Sequence, residues 1–152
     1  MEAGFRPHGV FPALVTPFTK KHEVDEDAFR KLVQFVLPHV NGVVVCGTTG
    51  ESVYLSLEER KKLYTLAVQC VEGKIPVIAG TGEASTPNTI ELTCAAAEAG
   101  AAAALVVTPY FLHPSDKGIH KHFLEVARHG KLPIILYNIP QTVDAPDRKS
   151  VV

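Results

Sequence analysis

Two threonine hydroxyls lie between two glycines at one point of the sequence, in the segment Gly47-Thr48-Thr49-Gly50-Glu51. Glycine lets a small ligand approach the backbone closely, and a threonine hydroxyl both donates and accepts hydrogen bonds. We therefore predict a site here that binds a small anion or passes a proton. A tight turn that binds no ligand is the alternative interpretation of the same residues.

The elements that position this segment follow from the apolar pattern around it. The run 42–46 is short, continuous and rich in valine, which is typical of a strand buried on both faces of a parallel sheet. A unit of apolar strand, loop and amphipathic helix repeats at intervals of about 30 residues. The predicted strands are 10–18, 42–46, 75–79, 103–108 and 133–138, and the predicted helices are 26–37, 56–73, 88–99 and 115–128.

Several helix starts carry capping signals. Asp25 precedes the first helix, Ser56 and Glu59 form a capping box, and Thr86 is predicted to cap the third helix with Pro87 at its first position. Pro12 interrupts the first apolar run, so its early part is expected to be irregular or at a sheet edge.

Five successive βα units indicate an α/β fold in which helices cover a parallel sheet. Two architectures fit this pattern, an open doubly wound sheet and a (β/α)8 barrel. The first loop that enters a helix lacks the GxGxxG pattern, which disfavours a dinucleotide-binding sheet. We expect one domain over 1–152 and no linker.

Composition excludes several classes of function. The 152 residues carry 15 Lys and Arg against 16 Asp and Glu, so no basic stripe indicates a nucleic-acid partner. No signal peptide and no apolar run long enough to span a membrane are evident. Cys46, Cys70 and Cys94 form no CxxC pair, which indicates small buried thiols in a reducing, cytoplasmic setting. The seven histidines are interpreted as surface residues, and no metal site is expected.

Five short motifs stand at the ends of successive predicted strands. They are Thr16-Pro17-Phe18, Gly47-Thr48-Thr49-Gly50-Glu51, Gly80-Thr81-Gly82, Thr108-Pro109-Tyr110-Phe111 and Tyr137-Asn138-Ile139-Pro140. In this order, from about residue 9 to 142, the chain resembles the dihydrodipicolinate synthase / N-acetylneuraminate lyase family. The resemblance implies a TIM-type (β/α)8 barrel, of which this chain covers about the first five βα units, as the N-terminal part of a single domain.

The resemblance also implies a chemistry. Family members are lyases or aldolases that form a Schiff base between a lysine and the keto group of pyruvate or another 2-keto acid, without a cofactor. By resemblance, Thr49 binds the substrate carboxylate with help from the loop around Gly47 and Gly50, Thr48 belongs to a proton relay, and Tyr137 is the acid/base. A tyrosine that merely lines the barrel is the structural alternative for Tyr137.

The chain departs from the family pattern at the lysine. The family lysine lies on the sixth strand, and this chain ends before a sixth strand begins. Lys131 precedes the fifth predicted strand, Lys149 follows it, and Lys20 and Lys21 lie on a polar loop. None has the desolvated surroundings that keep an amine neutral and nucleophilic. We therefore expect no aldolase turnover from the isolated chain.

Two further departures concern the substrate and the relay. Several family members have a tyrosine at the position of Phe111, reaching in from a neighbouring subunit, and Phe111 has no hydroxyl. Tyr110 and Phe111 are therefore weaker site candidates. Dihydrodipicolinate synthases carry an arginine shortly after the YNxP motif, and 141–143 contain none. This counts against aspartate semialdehyde as the second substrate and favours a neutral or sugar-like keto acid.

Three hypotheses follow for function. The first is a class I aldolase or lyase acting on pyruvate or a related 2-keto acid, completed by a portion that supplies the lysine. The second is a non-catalytic half-barrel that serves as a binding or regulatory subunit, and the third is an inactive truncated remnant. Because the outer predicted strands have bare edges, we expect a homo-oligomer or a complementing chain that carries the remaining strands.

Overall fold

A computed structural model describes residues 5–112 and 114–140. The helices are α1 (Glu26–Val36), α2 (Leu57–Val71), α3 (Thr86–Ala99) and α4 (Asp116–His129), with short 3₁₀ turns at Leu37–His39 and Ser52–Tyr54. The strands are β1 (Val43–Val45), β2 (Val77–Gly80), β3 (Ala103–Val107) and β4 (Ile134–Tyr137). Strand and helix alternate from β1 onward, as the sequence pattern predicts.

Helix starts follow the capping signals with one exception. The Asp25 carboxylate accepts a hydrogen bond from the amide of Ala28, and Ser56 and Glu59 form the predicted capping box. Thr86 was predicted to cap α3, and this is wrong. Ser85 has the extended backbone of an N-cap, and its side chain accepts from the Asn88 amide. The helix therefore begins at Thr86, one residue before the predicted first position Pro87 and two before the predicted range 88–99.

The segment 10–18 is irregular at Pro12 and lies at the sheet edge, as expected, but its remaining length forms no regular strand either. Within 10–18 the backbone forms only isolated bridges, one of them parallel between Ala13 and Val44. The Leu14 amide donates to the Val44 carbonyl at 2.9 Å, and the Val44 amide donates to the Pro12 carbonyl at 2.9 Å. Because Pro12 has no N–H to donate, a longer ladder does not form. The described residues thus contain four regular strands, with this segment paired along the free edge of β1.

The sheet settles the choice between the two architectures. Its four strands are all parallel and lie in the order β1-β2-β3-β4, so each strand pairs with the next one in the chain. A doubly wound sheet reverses its strand order at a switch point, whereas a (β/α)8 barrel adds neighbours in sequence. The described residues form a part of a barrel, and successive helices pack against one another on its outside.

Alternate residues of each strand face the helices or the barrel interior. Val43 and Val45 of β1 and Ala79 of β2 pack into the core beneath α1, α2 and α3. Ala104 and Val106 of β3 belong to a second cluster against α4. The opposite residues, such as Leu105 and Tyr137, therefore face the interior. None of the described helices has the length and apolar character that crossing a membrane requires.

Candidate active site

The predicted motifs meet at one edge of the sheet. Because all strands are parallel, the loops after β1, β2 and β3 and the last residue of β4 lie together at the carboxyl edge. This is the edge at which α/β barrels hold their catalytic groups. The arrangement brings residues 47–51, 80–83, 108–111 and Tyr137 into one region.

The loop Gly47–Gly50 is held in shape by its own backbone and by the segment before α1. The Gly50 and Ser52 amides both donate to the Gly47 carbonyl, at 3.1 and 3.3 Å. The buried Thr16 hydroxyl donates to the Gly50 carbonyl at 2.7 Å. A Cβ on Gly50 would lie 3.0 Å from the Leu14 carbonyl oxygen, so the small residue is needed for this close approach.

Two residues with left-handed backbone conformations flank the same loop. Cys46 has φ +54° and Glu51 has φ +56°, values that non-glycine residues seldom adopt. Such conformations persist where the surrounding contacts over-determine them, and they concentrate at binding and catalytic sites. The surrounding contacts thus hold this loop in one defined conformation at the edge of the sheet.

Thr48 and Tyr137 are brought together across the sheet. The Thr48 Oγ1 and the Tyr137 Oη are 3.4 Å apart, with either hydroxyl able to donate, although 89 residues separate them in sequence. Both line one small pocket together with Gly47. Thr49 lies next to Thr48 on the same loop; it is exposed and is not among the described residues that line this pocket.

A larger cleft adjoins this pair of hydroxyls. It has a volume of about 230 Å³, and its lining includes Thr48, Ser52, Tyr110 and Ile139. Its Tyr110 hydroxyl donates to the Glu83 carboxylate at 3.4 Å. Burial, followed by the charge of Glu83, raises the pKa of Tyr110, so this phenol is protonated at neutral pH.

Phe111 takes no part in the described lining of the cleft. Its side chain is 86% exposed and its φ is +73°, so the ring points away from the body of the chain. The two adjacent candidate residues after β3 therefore lie in different surroundings. Tyr110 lines the cleft, whereas Phe111 extends an apolar surface into solvent.

A buried arginine that sequence reasoning did not single out lies beneath the site. Arg60 of α2 is 1% exposed, and its guanidinium donates to the Gly80 and Gly82 carbonyls at 2.9 and 3.1 Å. It also forms an ion pair with Glu83. The Tyr64 hydroxyl donates to the same Gly80 carbonyl at 2.7 Å. A signal was present, because Arg60 lies three residues before Leu63 on the apolar face of α2.

Cys46 does not behave as a nucleophile in this fold. Burial raises the pKa of its thiol to about 12, although Arg60 opposes the shift. A reactive cysteine needs a thiolate, and this side chain stays protonated. Cys46 is buried as predicted, whereas Cys70 and Cys94 are half-buried, and all three thiols are free.

No described lysine lines the pocket that holds Thr48 and Tyr137. Lys20 is exposed in the turn before α1. Lys131 is exposed and precedes β4, which puts it at the amino edge of the sheet, opposite Tyr137. Lys149 lies outside the described residues, and so do residues 141–143, where an arginine was sought.

His122 corrects the expectation that the histidines are surface residues. It is 3% exposed on α4, and its Nδ1 is 2.9 Å from the Thr86 hydroxyl at the start of α3. The apolar face of α4, which includes Phe123 and Val126, carries it into the interior. Among residues 5–112 and 114–140, no cluster of three or more His, Cys, Asp or Glu side chains has an arrangement that could hold a metal ion.

The parallel strands in sequential order, with hydroxyl-bearing loops at their carboxyl edge, define a part of a (β/α)8 barrel. Residues 6–145 match the model of the dihydrodipicolinate synthetase family. The chain belongs to that family, as the motifs at its strand ends indicated.

Individual relatives agree with this assignment. The 4-hydroxy-tetrahydrodipicolinate synthase of Methanothrix thermoacetophila is 47% identical over 145 residues, which are 95% of this chain and 48% of that protein. The dihydrodipicolinate synthase of Aquifex aeolicus is 44% identical with a TM-score of 0.87, and the match covers 90% of this chain and 46% of that one.

A third relative has been solved with a ligand. The chloride-inhibited dihydrodipicolinate synthase of Acinetobacter baumannii, complexed with pyruvate, is 42% identical with a TM-score of 0.87. The match covers 90% of this chain and 47% of that one. The chain thus spans about half the length of the relatives that it matches.

Proposed function

We propose that this chain contributes part of the active site of a class I aldolase or lyase that acts on pyruvate or a related 2-keto acid. The observation that carries the proposal is the 3.4 Å approach of the Thr48 and Tyr137 hydroxyls at the carboxyl edge of the sheet. A phenol ordered by a neighbouring hydroxyl can pass a proton to and from a reacting carbon or nitrogen. The pyruvate bound by the Acinetobacter baumannii relative supports the substrate class.

In this proposal the loop after β1 binds the carboxylate. Thr49 is an exposed residue next to Thr48 on this loop, and its hydroxyl is assigned to donate to the substrate. Gly47 and Gly50 contribute by their small size, since the Gly50 amide already donates to the Gly47 carbonyl. Such donors hold a carboxylate without a permanent cation.

Tyr137 is assigned as the acid/base and Thr48 as its relay partner. Schiff-base chemistry also needs a lysine amine. The amine condenses with the keto group, with loss of water, and the resulting imine acts as the electron sink. We propose that the remaining part of the barrel supplies this lysine, because no described lysine lines the pocket that holds Tyr137. The relay is assigned to two hydroxyls, since Phe111 replaces the tyrosine that several family members use.

The second substrate and the setting are proposals of the same kind. The absence of an arginine at 141–143 favours a neutral or sugar-like partner rather than aspartate semialdehyde. Three free cysteines support a reducing, cytoplasmic setting. Assembly with a second copy or with a complementing chain would cover β4.

Pyruvate titration of the isotope-labelled chain, followed by NMR, tests the binding part. We expect shifts of the amides of 47–50 and of the Tyr137 ring, weakened by Thr48→Val and Tyr137→Phe. Thr65→Val is the matched control, because Thr65 is exposed and its hydroxyl donates to the Lys61 carbonyl within α2. Shifts that are spread over the surface, or equal in site and control variants, would contradict the proposal.

A chimera tests the catalytic part. Residues 5–140 are joined to the remaining portion of the Methanothrix thermoacetophila synthase, and pyruvate is trapped with borohydride. Intact mass should show one reduced adduct on the chimera and none on the isolated chain. In the chimera, Tyr137→Phe should slow carbon–carbon chemistry by about 100-fold or more. A chimera that folds by near-UV circular dichroism but forms no adduct would favour a binding subunit.

A further inference from the structure

The carbonyls at the end of β2 are held by side chains rather than by the sheet. Arg60 reaches from the first turn of α2 to the carbonyls of Gly80 and Gly82, and Tyr64 adds a second donor to Gly80. Buried carbonyls at a strand end need such partners, because the ladder no longer supplies them. The shape of this strand end therefore depends on a single buried guanidinium and a phenol of the same helix.

The end of β2 in turn supports the loop that carries Thr48 and Thr49. A Cβ placed on Gly80 would lie 2.1 Å from the Cys46 carbonyl oxygen and 3.0 Å from the Gly47 nitrogen. The backbone just before Thr48 thus rests directly on the backbone of Gly80. Any shift of Gly80 moves the base of the hydroxyl loop.

The same strand end also contacts the end of β3. A Cβ on Gly82 would lie 2.6 Å from the Val107 nitrogen. Glu83, which pairs with Arg60, accepts from the Tyr110 hydroxyl in the cleft. The backbone amide of Glu83 donates to the Thr89 hydroxyl of α3 at 3.1 Å, which holds the backbone at this position. One ion pair thereby joins three neighbouring strand ends.

We propose that Arg60 is a positioning residue, which holds the end of β2 so that the loop 47–50 presents its hydroxyls to the substrate carboxylate and Glu83 orients Tyr110. This inference rests on the proposed function of the loop. Arg60 does not touch the substrate itself, since its guanidinium is buried and donates to protein oxygens. Its removal takes from the Gly82 carbonyl its described donor and leaves the Gly80 carbonyl and the Glu83 carboxylate with one donor fewer. A local effect on this strand end is therefore expected.

The test compares Arg60→Met and Arg60→Lys with Lys61→Met in the full chain. Lys61 is a matched control, because it is the next residue of α2 and its ion pairs with Glu58 and Glu91 lie at the surface. Arg60→Met should speed hydrogen exchange of the amides of 47–50 and weaken pyruvate binding about tenfold. Arg60→Lys should restore part of both, and Lys61→Met should change neither.

A phenol titration supplies a readout that a merely structural role would not move. With tyrosine-specific labels, Arg60→Met should raise the pKa of Tyr110 further, because Arg60 offsets the charge of Glu83. Glu83→Gln should lower the pKa of Tyr110, and the double variant should lie between the two single variants, because the charge of Arg60 also lowers this pKa directly. Equal titration curves in all variants would overturn the link from Arg60 through Glu83 to Tyr110.

The outcomes separate this inference from the proposed function. A native chain that binds no pyruvate contradicts the proposed function, while hydrogen exchange and titration still decide the role of Arg60. If Arg60→Met does not fold, Tyr64→Phe and Glu83→Gln remove single contacts of the same group and carry the test. Exchange at 47–50 that matches the Lys61→Met control in all these variants would overturn the positioning role.

Discussion

The second and fourth strands show how differently the two halves of the candidate site are supported. All four residues of β2 are buried, and the strand has neighbours on both sides. All four residues of β4 are only half-buried, and within the described residues β4 pairs with β3 alone. Thr48 therefore belongs to a loop whose base packs against the buried strand β2, whereas Tyr137 lies on the outermost described strand.

This difference indicates which part of the site is self-sufficient. The Gly47–Gly50 loop rests on Gly80, and buried side chains hold Gly80 in place. Tyr137 depends on a strand whose outer edge has no partner among the described residues. The geometry of the carboxylate loop is set by this part of the chain, and the precision of Tyr137 depends on what covers β4.

The exposed edge of β4 is expected to have its largest effect on the assembly state of the chain. Apolar side chains on the inner face and at the edge of β4 remain accessible, and burial is worth about 25 cal/mol per Å². Several hundred Å² would therefore rival the whole stability of a domain, about 5–15 kcal/mol. We expect the purified chain to be oligomeric, aggregated or loosely packed, as measured by sedimentation and near-UV circular dichroism. A sharply folded monomer at micromolar concentration would contradict this.

At the end of β2, Gly80→Ala is expected to be the most damaging single substitution. The new Cβ would meet the Cys46 carbonyl oxygen at 2.1 Å, and that backbone cannot move without disturbing the site loop. We expect a loss of about 3 kcal/mol or more in the free energy of unfolding, measured by urea titration. Gly118→Ala on α4 is the control, since the nearest contacts of its Cβ would be side-chain atoms, the closest being the Pro114 Cβ at 3.3 Å, so a much smaller change is expected. Equal stability of both variants would show that the backbone at the end of β2 adjusts to a Cβ at little cost.

A matched pair of isoleucines measures the contrast between the strands directly. Ile78 of β2 is 3% exposed, whereas Ile135 of β4 is half-buried, and alternation puts both on the inner face. Ile78→Val should lower the free energy of unfolding by about 1 kcal/mol and Ile135→Val by less than half of that. Denaturant titration of both variants at equal concentration gives the comparison. Equal losses would mean that assembly covers β4 in solution.

A smaller effect is expected from pH. Burial lowers the pKa of His122, so the unfolded chain takes up a proton on this ring before the folded chain does. The contribution to stability is therefore complete above about pH 6.5 and is lost as the pH falls toward the lowered pKa. Urea midpoints at about pH 7.5 and about pH 5 should differ less in His122→Gln than in the native chain. An unchanged difference would assign the acid sensitivity to other groups.

Much of the fold was predictable because its signals are local. The capping box at Ser56 and the cap at Asp25 depend on neighbours three residues away, and both are confirmed. Strand positions after residue 40 follow from short valine-rich and isoleucine-rich runs. The irregular edge at Pro12 was expected, but the strand prediction failed for the rest of 10–18. The cap prediction failed at Thr86, because Ser85 caps the helix instead.

The sequence by itself determined the α/β class, the helix starts and the five motifs that identify the family, because each of these depends on residues close together in the chain. Only the tertiary structure decided the strand order, the approach of Thr48 to Tyr137, the separation of Tyr110 from Phe111 and the burial of Arg60 and His122. Those features depend on contacts between residues far apart in sequence. Local propensity does not predict such contacts. They form when the helices pack against the sheet and remove the side chains between them from water.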